Sequence, residues 1–206
     1  MAKRLFDVLA SGLGLLLLAP CLLAVAIAIK LDSPGPVFFR QVRVGRHGVE
    51  FRIHKFRTMT HRDAEADEDT AQITVGADPR ITRVGALLRR TKLDELAQLI
   101  DVFVGRMSLV GPRPEVPRYV ALYPPVLRDK VLSVRPGITD PASLAFRDES
   151  ARLACTVDPE REYVEVVMPA KLLLSARHVD EASFTGDLRL IAATLRALWM
   201  RAPASR

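Results

Sequence analysis

The sequence predicts an α+β protein that is mostly helical and begins with a re-entrant membrane segment built as helix–break–helix. Three observations indicate this fold class: an uncharged segment over residues 8–29, two stretches of alternating apolar and polar residues after it, and apolar residues at helical spacing farther along. We expect residues 1–31 to form the membrane hairpin. Residues 32–206 should form one domain at the cytoplasmic face, with a β-hairpin and amphipathic interface helices.

The uncharged segment is long enough to cross the ~30 Å hydrocarbon core of a bilayer as one helix. Pro20 lies in its middle, where a proline lacks an amide donor and its ring clashes with the preceding helical turn. Divided there, each half reaches only about 15–18 Å at ~1.5 Å per residue. Basic residues flank both ends, Lys3 and Arg4 before and Lys30 after, and basic flanks favour the cytoplasmic side. The pattern therefore predicts a re-entrant hairpin that breaks at Pro20.

Three other interpretations of this segment are open at the level of sequence. A spanning helix kinked at Pro20 is the first, because membrane helices tolerate proline. A cleaved signal peptide is the second, since Ala24-Val25-Ala26 resembles a cleavage site, although the rest of the chain is not typical of a secreted protein. A lipoprotein signal ending at Cys21 is the third, and Pro20 disfavours it because a small residue belongs at that position.

Composition limits the classes of partner. The chain has 206 residues, enough for one domain with its own core, and a formal net charge of +6. Its two cysteines, Cys21 and Cys155, have neither a CxxC nor a zinc-type spacing, so we expect no disulfide and no structural metal cluster, as in a reducing cytoplasm. The positive charge predicts an acidic partner. Because no nucleic-acid motif occurs, anionic lipids and phosphorylated substrates are favoured over nucleic acid.

Several segments after the membrane region have recognisable patterns. The stretches VFFRQVRV and VEFRIHKF, separated by turn residues, predict a β-hairpin. The acidic run at residues 61–69 lacks the glycine and distal glutamate of a calcium loop, so an exposed linker is favoured over a metal site. The helix at residues 185–200 either docks on the core or lies at the membrane interface with Trp199 at head-group depth. The other predicted helices are residues 81–91, the segment from Lys92 to Gly105, and residues 159–178.

Asp94 and Glu95 are the strongest candidates for chemistry. Thr91 followed three residues later by Asp94 also fits a capping box, so a purely structural role is open for the acidic pair. Arginines lie nearby: Arg89 is one turn upstream, and Arg113 is fixed between two prolines. Two carboxylates with fixed arginines suit a magnesium–pyrophosphate substrate, because carboxylates hold the metal and arginines hold phosphate oxygens.

The segment RVGALLRRTKLDELAQLIDVFVGRMSLVGPRPE closely resembles the signature of the bacterial sugar transferases known as monotopic phosphoglycosyl transferases. The resemblance continues in FDVLASGLGLLLLAP, SPGPVFFRQVRVG, FRIHKFRTM and DPRITRVG before this segment, and in RPGIT after it. It covers roughly residues 4–147, and the ordered set is much more specific than any single piece.

This resemblance implies a membrane enzyme that uses Mg²⁺ to move a phospho-sugar from a UDP-sugar to polyprenyl (undecaprenyl) phosphate, with release of UMP. It implies that Asp94 is the nucleophile and forms a covalent phospho-sugar intermediate, and that Glu95 helps to hold Mg²⁺ or assists proton removal. Arg113 would grip phosphate and Arg89 would contact a second phosphate or the acceptor. The implied location is the cytoplasmic face of the bacterial inner membrane, at the first membrane step of polysaccharide biosynthesis. A non-catalytic membrane-surface module that binds phosphate or nucleotide is the alternative.

Three positions depart from the family pattern. Ala97 replaces a proline after the DEL triplet, Arg106 replaces an acidic residue, and residues 137–143 read GITDPAS. Alanine only strengthens a helix. Arg106 changes local charge pairing, and the GITDPAS variant marks a subgroup in which the nucleotide or sugar pocket is expected to differ.

Overall fold

The computed structural model describes residues 2–60 and 78–200, so the acidic run at residues 61–69 lies outside the described residues. Within these ranges the protein is mostly helical with two small sheets, which confirms this part of the predicted fold class. In chain order the elements are α1 (Ala2–Asp32), β1 (Phe38–Val44), β2 (Glu50–Phe56), α2 (Arg83–Thr91), a 3₁₀ helix (Leu93–Gln98), α3 (Leu99–Val104), β3 (Ser108–Val110), α4 (Pro117–Val120), α5 (Pro125–Val131), β4 (Gly137–Thr139), α6 (Pro141–Ala145), α7 (Glu149–Ala154), α8 (Pro159–Glu162), a π-helical turn (Tyr163–Val167), α9 (Met168–Glu181) and α10 (Phe184–Trp199).

Helix α1 is continuous and passes through Pro20. The predicted division into two helices at Pro20 is therefore corrected: a proline removes one hydrogen bond and bends a helix, but the bonds of the neighbouring turns allow it to continue. The helix is long and apolar enough to cross a membrane, with a mean hydropathy of 2.6 over an 18-residue window. Only 6% of that window is buried within the protein. The re-entrant arrangement and the cytoplasmic orientation stay predictions.

Hydrogen bonds hold both ends of α1 to the rest of the protein. Near the N-terminus, the buried carboxylate of Asp7 accepts a hydrogen bond from the Ser108 hydroxyl at 2.8 Å and another from the Leu109 amide at 3.1 Å. At the other end, the buried guanidinium of Arg57 donates to the Ser33 carbonyl at 2.8 Å, which satisfies a carbonyl group that follows the helix. Between these two anchors α1 packs against α2 and α3. Both ends of the helix are therefore held by the same domain.

The predicted β-hairpin is confirmed. Strands β1 and β2 pair antiparallel, from Phe38 opposite Phe56 to Val44 opposite Glu50. His47 closes the turn with a φ of 59°, and the glycine after it also has a positive φ. The hairpin brings the C-terminal end of β2 against the 3₁₀ helix.

A second sheet, β3 with β4, is parallel and was not predicted. Ser108 pairs with Gly137, and Val110 pairs with Thr139. The strands cross so closely that a Cβ atom on Gly137 would lie 2.1 Å from the Gly111 amide nitrogen, so only glycine fits there. This pairing joins the segment that ends at Gly111 to the segment that ends at residue 140.

The C-terminal helices form the core around Val116, Tyr119, Leu153, Tyr163 and Val167. The helix predicted over residues 159–178 is present as α8, the π-helical turn and α9. Helix α10 docks on β3, β4 and α6 through an inner face. The predicted docking on the core is therefore confirmed for this face. Its outer face exposes Leu188, Leu195 and Trp199.

Candidate active site

Asp94 and Glu95 lie in the 3₁₀ helix, directly after a reversal of the chain at Lys92. Lys92 has a φ of 59°, in the left-handed region that is uncommon for residues other than glycine. This conformation ends α2 and starts the new helical turn. The two carboxylates therefore sit at a bend between α2 and α3, where β2 packs against them.

The predicted capping box is wrong. The hydroxyl of Thr91 donates to the Leu87 carbonyl at 2.8 Å, back into α2, and no side chain caps the 3₁₀ helix. A threonine hydroxyl often bonds to the carbonyl one turn earlier, and this bond competes with capping. The helix predicted from Lys92 to Gly105 is present as the 3₁₀ helix Leu93–Gln98 followed directly by α3. Asp94 therefore does not take part in the capping box that the sequence left open.

The Asp94 side chain is buried, and only one of its two carboxylate oxygens has a partner among the described residues. Its residue is 2% exposed, and Oδ2 lies 3.0 Å from Nζ of Lys55. Oδ1 is buried and accepts no hydrogen bond among the described residues. The sequence analysis missed Lys55, although a signal was present: Lys55 shares one face of β2 with the buried Ile53, an uncommon place for a lysine.

Glu95 forms a two-point ion pair with Arg113. Its Oε1 lies 2.6 Å from Nη2 and its Oε2 lies 3.1 Å from Nη1, while Lys55 Nζ is 3.7 Å from Oε1. Burial alone would raise the pKa of Glu95, but Arg113 and Lys55 hold it well below its usual range. The Glu95 charge raises the pKa of Arg113 in turn, against the effect of burial. The structure therefore pairs Glu95 with Arg113 directly, a contact that the sequence analysis did not predict.

Arg89 is placed differently from Arg113. It lies half-buried in the last turn of α2 and forms no ion pair with Asp94 or Glu95 within the described ranges. Its charge acts instead on Asp78, whose pKa is lowered chiefly by a hydrogen bond from Arg80 and to a smaller degree by Arg89. Arg89 therefore lies at the margin of the group formed by Lys55, Asp94, Glu95 and Arg113.

The residues that depart from the family pattern contact other parts of the fold. Ala97 is 1% exposed and packs in the core under α1. Arg106 lies 3.7 Å from the fully buried carboxylate of Asp101, so it pairs with an acidic neighbour. Asp140, in the GITDPAS segment, caps α6 by accepting from the Ser143 amide at 2.7 Å. These residues therefore support the fold around the site.

A second ion pair lies just beyond Arg113. Glu115 accepts from Arg43 Nη1 and from the Val116 amide, both at 2.9 Å, and from the Tyr163 hydroxyl at 2.5 Å. Burial would raise the pKa of Glu115, but Arg43 and the Tyr163 hydrogen bond lower it overall. This arrangement fixes the loop that carries Arg113.

The donor set fits a magnesium ion that shares its coordination with a substrate. Mg²⁺ prefers oxygen ligands and commonly takes one or two carboxylates together with substrate phosphates. Asp94 and Glu95 supply two adjacent carboxylates, and Asp94 Oδ1 is a buried oxygen without a partner among the described residues. No group of three or more histidine, cysteine or acidic residues able to hold a metal occurs in that part of the chain.

Comparisons with known proteins identify relatives of this chain. An exopolysaccharide production protein, PSS, of Rhizobium leguminosarum bv. phaseoli is 54% identical over 111 residues, which cover 54% of either chain. A UDP-glucose:undecaprenyl-phosphate glucose-1-phosphate transferase of Escherichia coli (strain K12) is 44% identical over 156 residues, 74% of this chain and 33% of the relative. The matches thus span about a third to a half of these two relatives.

A relative of similar extent is the exopolysaccharide production protein ExoY of Rhizobium meliloti (strain 1021). It is 38% identical over 177 residues, which cover 80% of this chain and 77% of the relative. The family model for bacterial sugar transferases matches residues 1–201. The chain therefore belongs to the bacterial sugar transferase family.

Proposed function

We propose that this protein transfers a phospho-sugar from a UDP-sugar to undecaprenyl phosphate and releases UMP, as the first membrane step of exopolysaccharide or related glycan synthesis. The observation that carries the proposal is the buried carboxylate of Asp94: its Oδ2 pairs with Lys55, and its Oδ1 has no partner among the described residues, while the adjacent Glu95 pairs with Arg113. The printed names of relatives that act on UDP-glucose and undecaprenyl phosphate support the substrate classes.

Asp94 is proposed as the nucleophile of a two-step exchange at phosphorus. In the first step a carboxylate oxygen forms a bond to the β-phosphorus of the donor, while the bond from that phosphorus to the bridging oxygen breaks and its electron pair leaves with UMP. In the second step a phosphate oxygen of the lipid attacks the same phosphorus, and the bond to Asp94 breaks to restore the carboxylate. No oxidant or reductant is required.

The neighbouring residues would stabilise the charge that moves during these steps. Arg113 is suited to hold two phosphate oxygens through its planar fork, and Lys55 to hold the attacked phosphoryl group. Glu95 and Asp94 would hold Mg²⁺, which would supply neutralisation of the diphosphate charge. Arg89, at the margin, is proposed as a contact for the lipid phosphate. Burial of Asp94 keeps water away from the reactive ester.

We also propose that α1 lies in the inner membrane as a re-entrant element, with the domain at the cytoplasmic face. Support comes from its two anchors: Asp7 and Arg57 tie opposite ends of the apolar helix to one polar domain. Its outward side chains are large and apolar, as lipid contact requires. These are Leu5, Leu9, Leu13, Leu16, Leu17, Leu23, Ile27 and Leu31.

Thiol labelling tests this topology. After Cys21 and Cys155 are replaced, cysteines introduced singly as Ala2→Cys and Arg46→Cys should both resist a membrane-impermeant reagent added to intact cells, and both should react after lysis. Labelling of Ala2→Cys in intact cells, with Arg46→Cys protected, would demonstrate a spanning helix instead.

UMP release tests the reaction. Purified protein with undecaprenyl phosphate should release UMP from at least one member of a panel of UDP-sugars, beginning with UDP-glucose, and should form the lipid diphospho-sugar in equal amount. Nucleotide binding without UMP release from any member would favour the non-catalytic binding module.

A further inference from the structure

A cavity adjoins the loop that carries Arg113. Its wall includes Arg113 itself, the flanking prolines Pro112 and Pro114, and one face of α9. Arg113 also pairs with Glu95, with 2.6 Å between Nη2 and Oε1, so the same residue borders both the cavity and the acidic pair of the site. A ligand whose phosphate contacts Arg113 can therefore extend another of its parts into the cavity.

Most of the cavity wall is apolar, which suits a flat ring better than a sugar. The apolar residues include Val44, Val120, Leu132, Met168 and Leu172. The space open to the centres of water-sized atoms is about 40 Å³, against the ~10–15 Å³ that one water molecule requires. A space of this size and polarity suits a single heteroaromatic ring, whereas a hexose needs more room and more partners for its hydroxyl groups.

Lys171 and Ser175 bring polar groups to this wall. They lie four residues apart on α9, hence on the same side of the helix, and both line the cavity. The Lys171 Nζ atom lies 2.7 Å from Glu149 Oε2 and 5.3 Å from the centre of the Tyr163 ring, so two contacts hold it in place. Because an ammonium group has three N–H donors, Lys171 can still donate to an oxygen of a ligand.

Asp140 fixes the direction of the Ser175 hydroxyl. That hydroxyl donates to Oδ2 of the fully buried Asp140 at 2.7 Å, and an ionised carboxylate can only accept. Asp140 is itself held by the Ser143 amide, which donates to its Oδ1 at 2.7 Å. No group in the described part of the chain donates to the Ser175 oxygen. Ser175 therefore faces a ligand as a hydrogen-bond acceptor, one helical turn from a donor.

We propose that this cavity binds the uracil ring of the donor nucleotide, with Lys171 donating to the uracil O4 atom and Ser175 accepting from the ring N3–H group. The proposal rests on the proposed function for the identity of the donor, and it places base recognition on α9, away from Asp94 and Glu95. Tyr163 contributes only its ring, because its hydroxyl donates to Glu115.

The arrangement on α9 discriminates between pyrimidines. Uracil has an acceptor oxygen next to a ring N–H group, which matches the donor of Lys171 and the acceptor of Ser175. Cytosine has an amino group next to an unprotonated ring nitrogen, so a donor would face a donor and an acceptor would face an acceptor. Uridine nucleotides are therefore selected by two unfavourable contacts with the competitor as well as by two favourable ones. Asp140 is a positioning residue, since it acts through Ser175.

Equilibrium binding of UMP and of CMP to the full-length protein in lipid nanodiscs tests this assignment. The wild type should bind UMP at least about tenfold more tightly than CMP. Ser175→Ala removes the acceptor, so the Kd for UMP should rise about tenfold, equivalent to ~1.4 kcal/mol, and the preference should fall below about threefold. Ser133→Ala, a matched change of an exposed serine outside this cavity, should leave both Kd values within about twofold.

Lys171→Gln tests the donor. Glutamine can turn either its nitrogen or its oxygen toward a base, so UMP binding should weaken several-fold while CMP binding does not. Lys130→Gln is the matched control, because Lys130 also pairs with a carboxylate, that of Asp180 at 2.7 Å, but is not part of the cavity wall. Both Kd values of this control should stay within about twofold of the wild type.

Asp140→Asn tests the positioning role. Asparagine can still accept from the Ser143 amide and cap α6, but its amide group donates to Ser175 and frees the serine proton. Ser175 can then donate to the ring nitrogen of cytosine, so CMP should bind more tightly and the preference for UMP should shrink. A merely structural role of Asp140 would instead weaken the binding of both nucleotides alike.

Three results would overturn the assignment: no UMP binding by the wild type, affinities for UMP and CMP within about twofold of each other, or an unchanged preference in those of the three cavity variants that circular dichroism shows to be folded. The proposed function fails separately. If no UDP-sugar releases UMP but UMP binds with a preference that depends on Ser175, the uracil site stands and the transferase assignment fails. If UMP is released and the folded variants keep the wild-type preference and KM for the donor, the transferase assignment stands and the uracil site fails.

Discussion

Two clusters of charged residues on either side of the loop at residues 112–114 differ in how completely they are paired. The supporting cluster consists of Arg43, Glu115 and Tyr163, and both oxygens of its glutamate accept hydrogen bonds. The second cluster, proposed as catalytic and called the catalytic cluster, consists of Lys55, Asp94, Glu95 and Arg113. It retains one oxygen, Asp94 Oδ1, without a partner among the described residues.

The difference indicates which cluster is built for stability and which for chemistry. A buried polar network is most stabilising when its members are satisfied, and each unsatisfied group costs free energy. In the supporting cluster, within the described part of the chain, Arg43 Nε is the exception. In the catalytic cluster the unsatisfied atom among the described residues is Asp94 Oδ1, which the proposed substrate would contact, so its free-energy cost is expected to be recovered on binding.

The largest expected effect is that of Asp94→Asn in the catalytic cluster. Asparagine has nearly the same volume but is a poor nucleophile, so transfer should fall by about 10³-fold or more, or ~4 kcal/mol of transition-state stabilisation. The fold should be retained, and UMP release together with a thermal melt measures both. Activity within about tenfold of wild type would exclude Asp94 as the nucleophile.

Chelation of divalent metal should stop turnover nearly as completely, and added Mg²⁺ should restore it. The reason is that the diphosphate of the donor and the departing UMP carry negative charge that a hard cation neutralises, and the cluster offers carboxylate oxygens for this cation. The supporting cluster has no role in metal binding, so the melting temperature without substrate should not change. Full turnover in excess chelator would contradict the expected cofactor.

Arg113→Lys should lower kcat/KM by about 10–100-fold, because lysine keeps the charge but cannot make two parallel hydrogen bonds to phosphate or to Glu95. Steady-state kinetics over a range of UDP-glucose concentrations measures the change. A matched Arg118→Lys variant, whose guanidinium pairs with Glu160 on the surface, should behave as wild type. Near-normal rates for Arg113→Lys would mean that Arg113 acts as a point charge only.

The smallest effect on catalysis is expected from Tyr163→Phe in the supporting cluster. Loss of the hydrogen bond to Glu115 should lower the free energy of unfolding by about 1–2 kcal/mol while kcat/KM changes less than about twofold. Denaturant unfolding and UMP release measure the two quantities. A large loss of activity without loss of stability would mean that the supporting cluster contacts the substrate.

Lowering the pH tests how much Glu115, in the supporting cluster, contributes to the stability of the fold. Because the pKa of Glu115 is lower in the folded protein, its contribution to stability is present above the ordinary glutamate pKa of 4.5 and is lost as the pH falls through the folded value. Glu115→Gln should therefore be less stable near pH 7 and lose less stability than wild type below pH 4.5. Parallel acid denaturation curves for the two proteins would show that Glu115 carries no such contribution.

The sequence named candidate site residues but did not predict which of them contact one another. Asp94, Glu95 and Arg113 were chosen from the motif, and the structure brings Glu95 and Arg113 into direct contact. Lys55 was missed because its partner lies 39 positions away, and no local pattern links a strand lysine to a distant carboxylate. The capping box failed for a related reason: the Thr91 hydroxyl had a nearer carbonyl in α2.

The sequence by itself determined the uncharged N-terminal segment, the β-hairpin and the acidic pair within its motif, because these depend on composition and on neighbours a few residues apart. Only the tertiary structure decided that α1 continues through Pro20, that β3 and β4 pair, and that both ends of α1 bind the domain. Such contacts join groups far apart in sequence. Their free energy depends on packing and on the satisfaction of buried polar atoms, which exist only once the chain has folded.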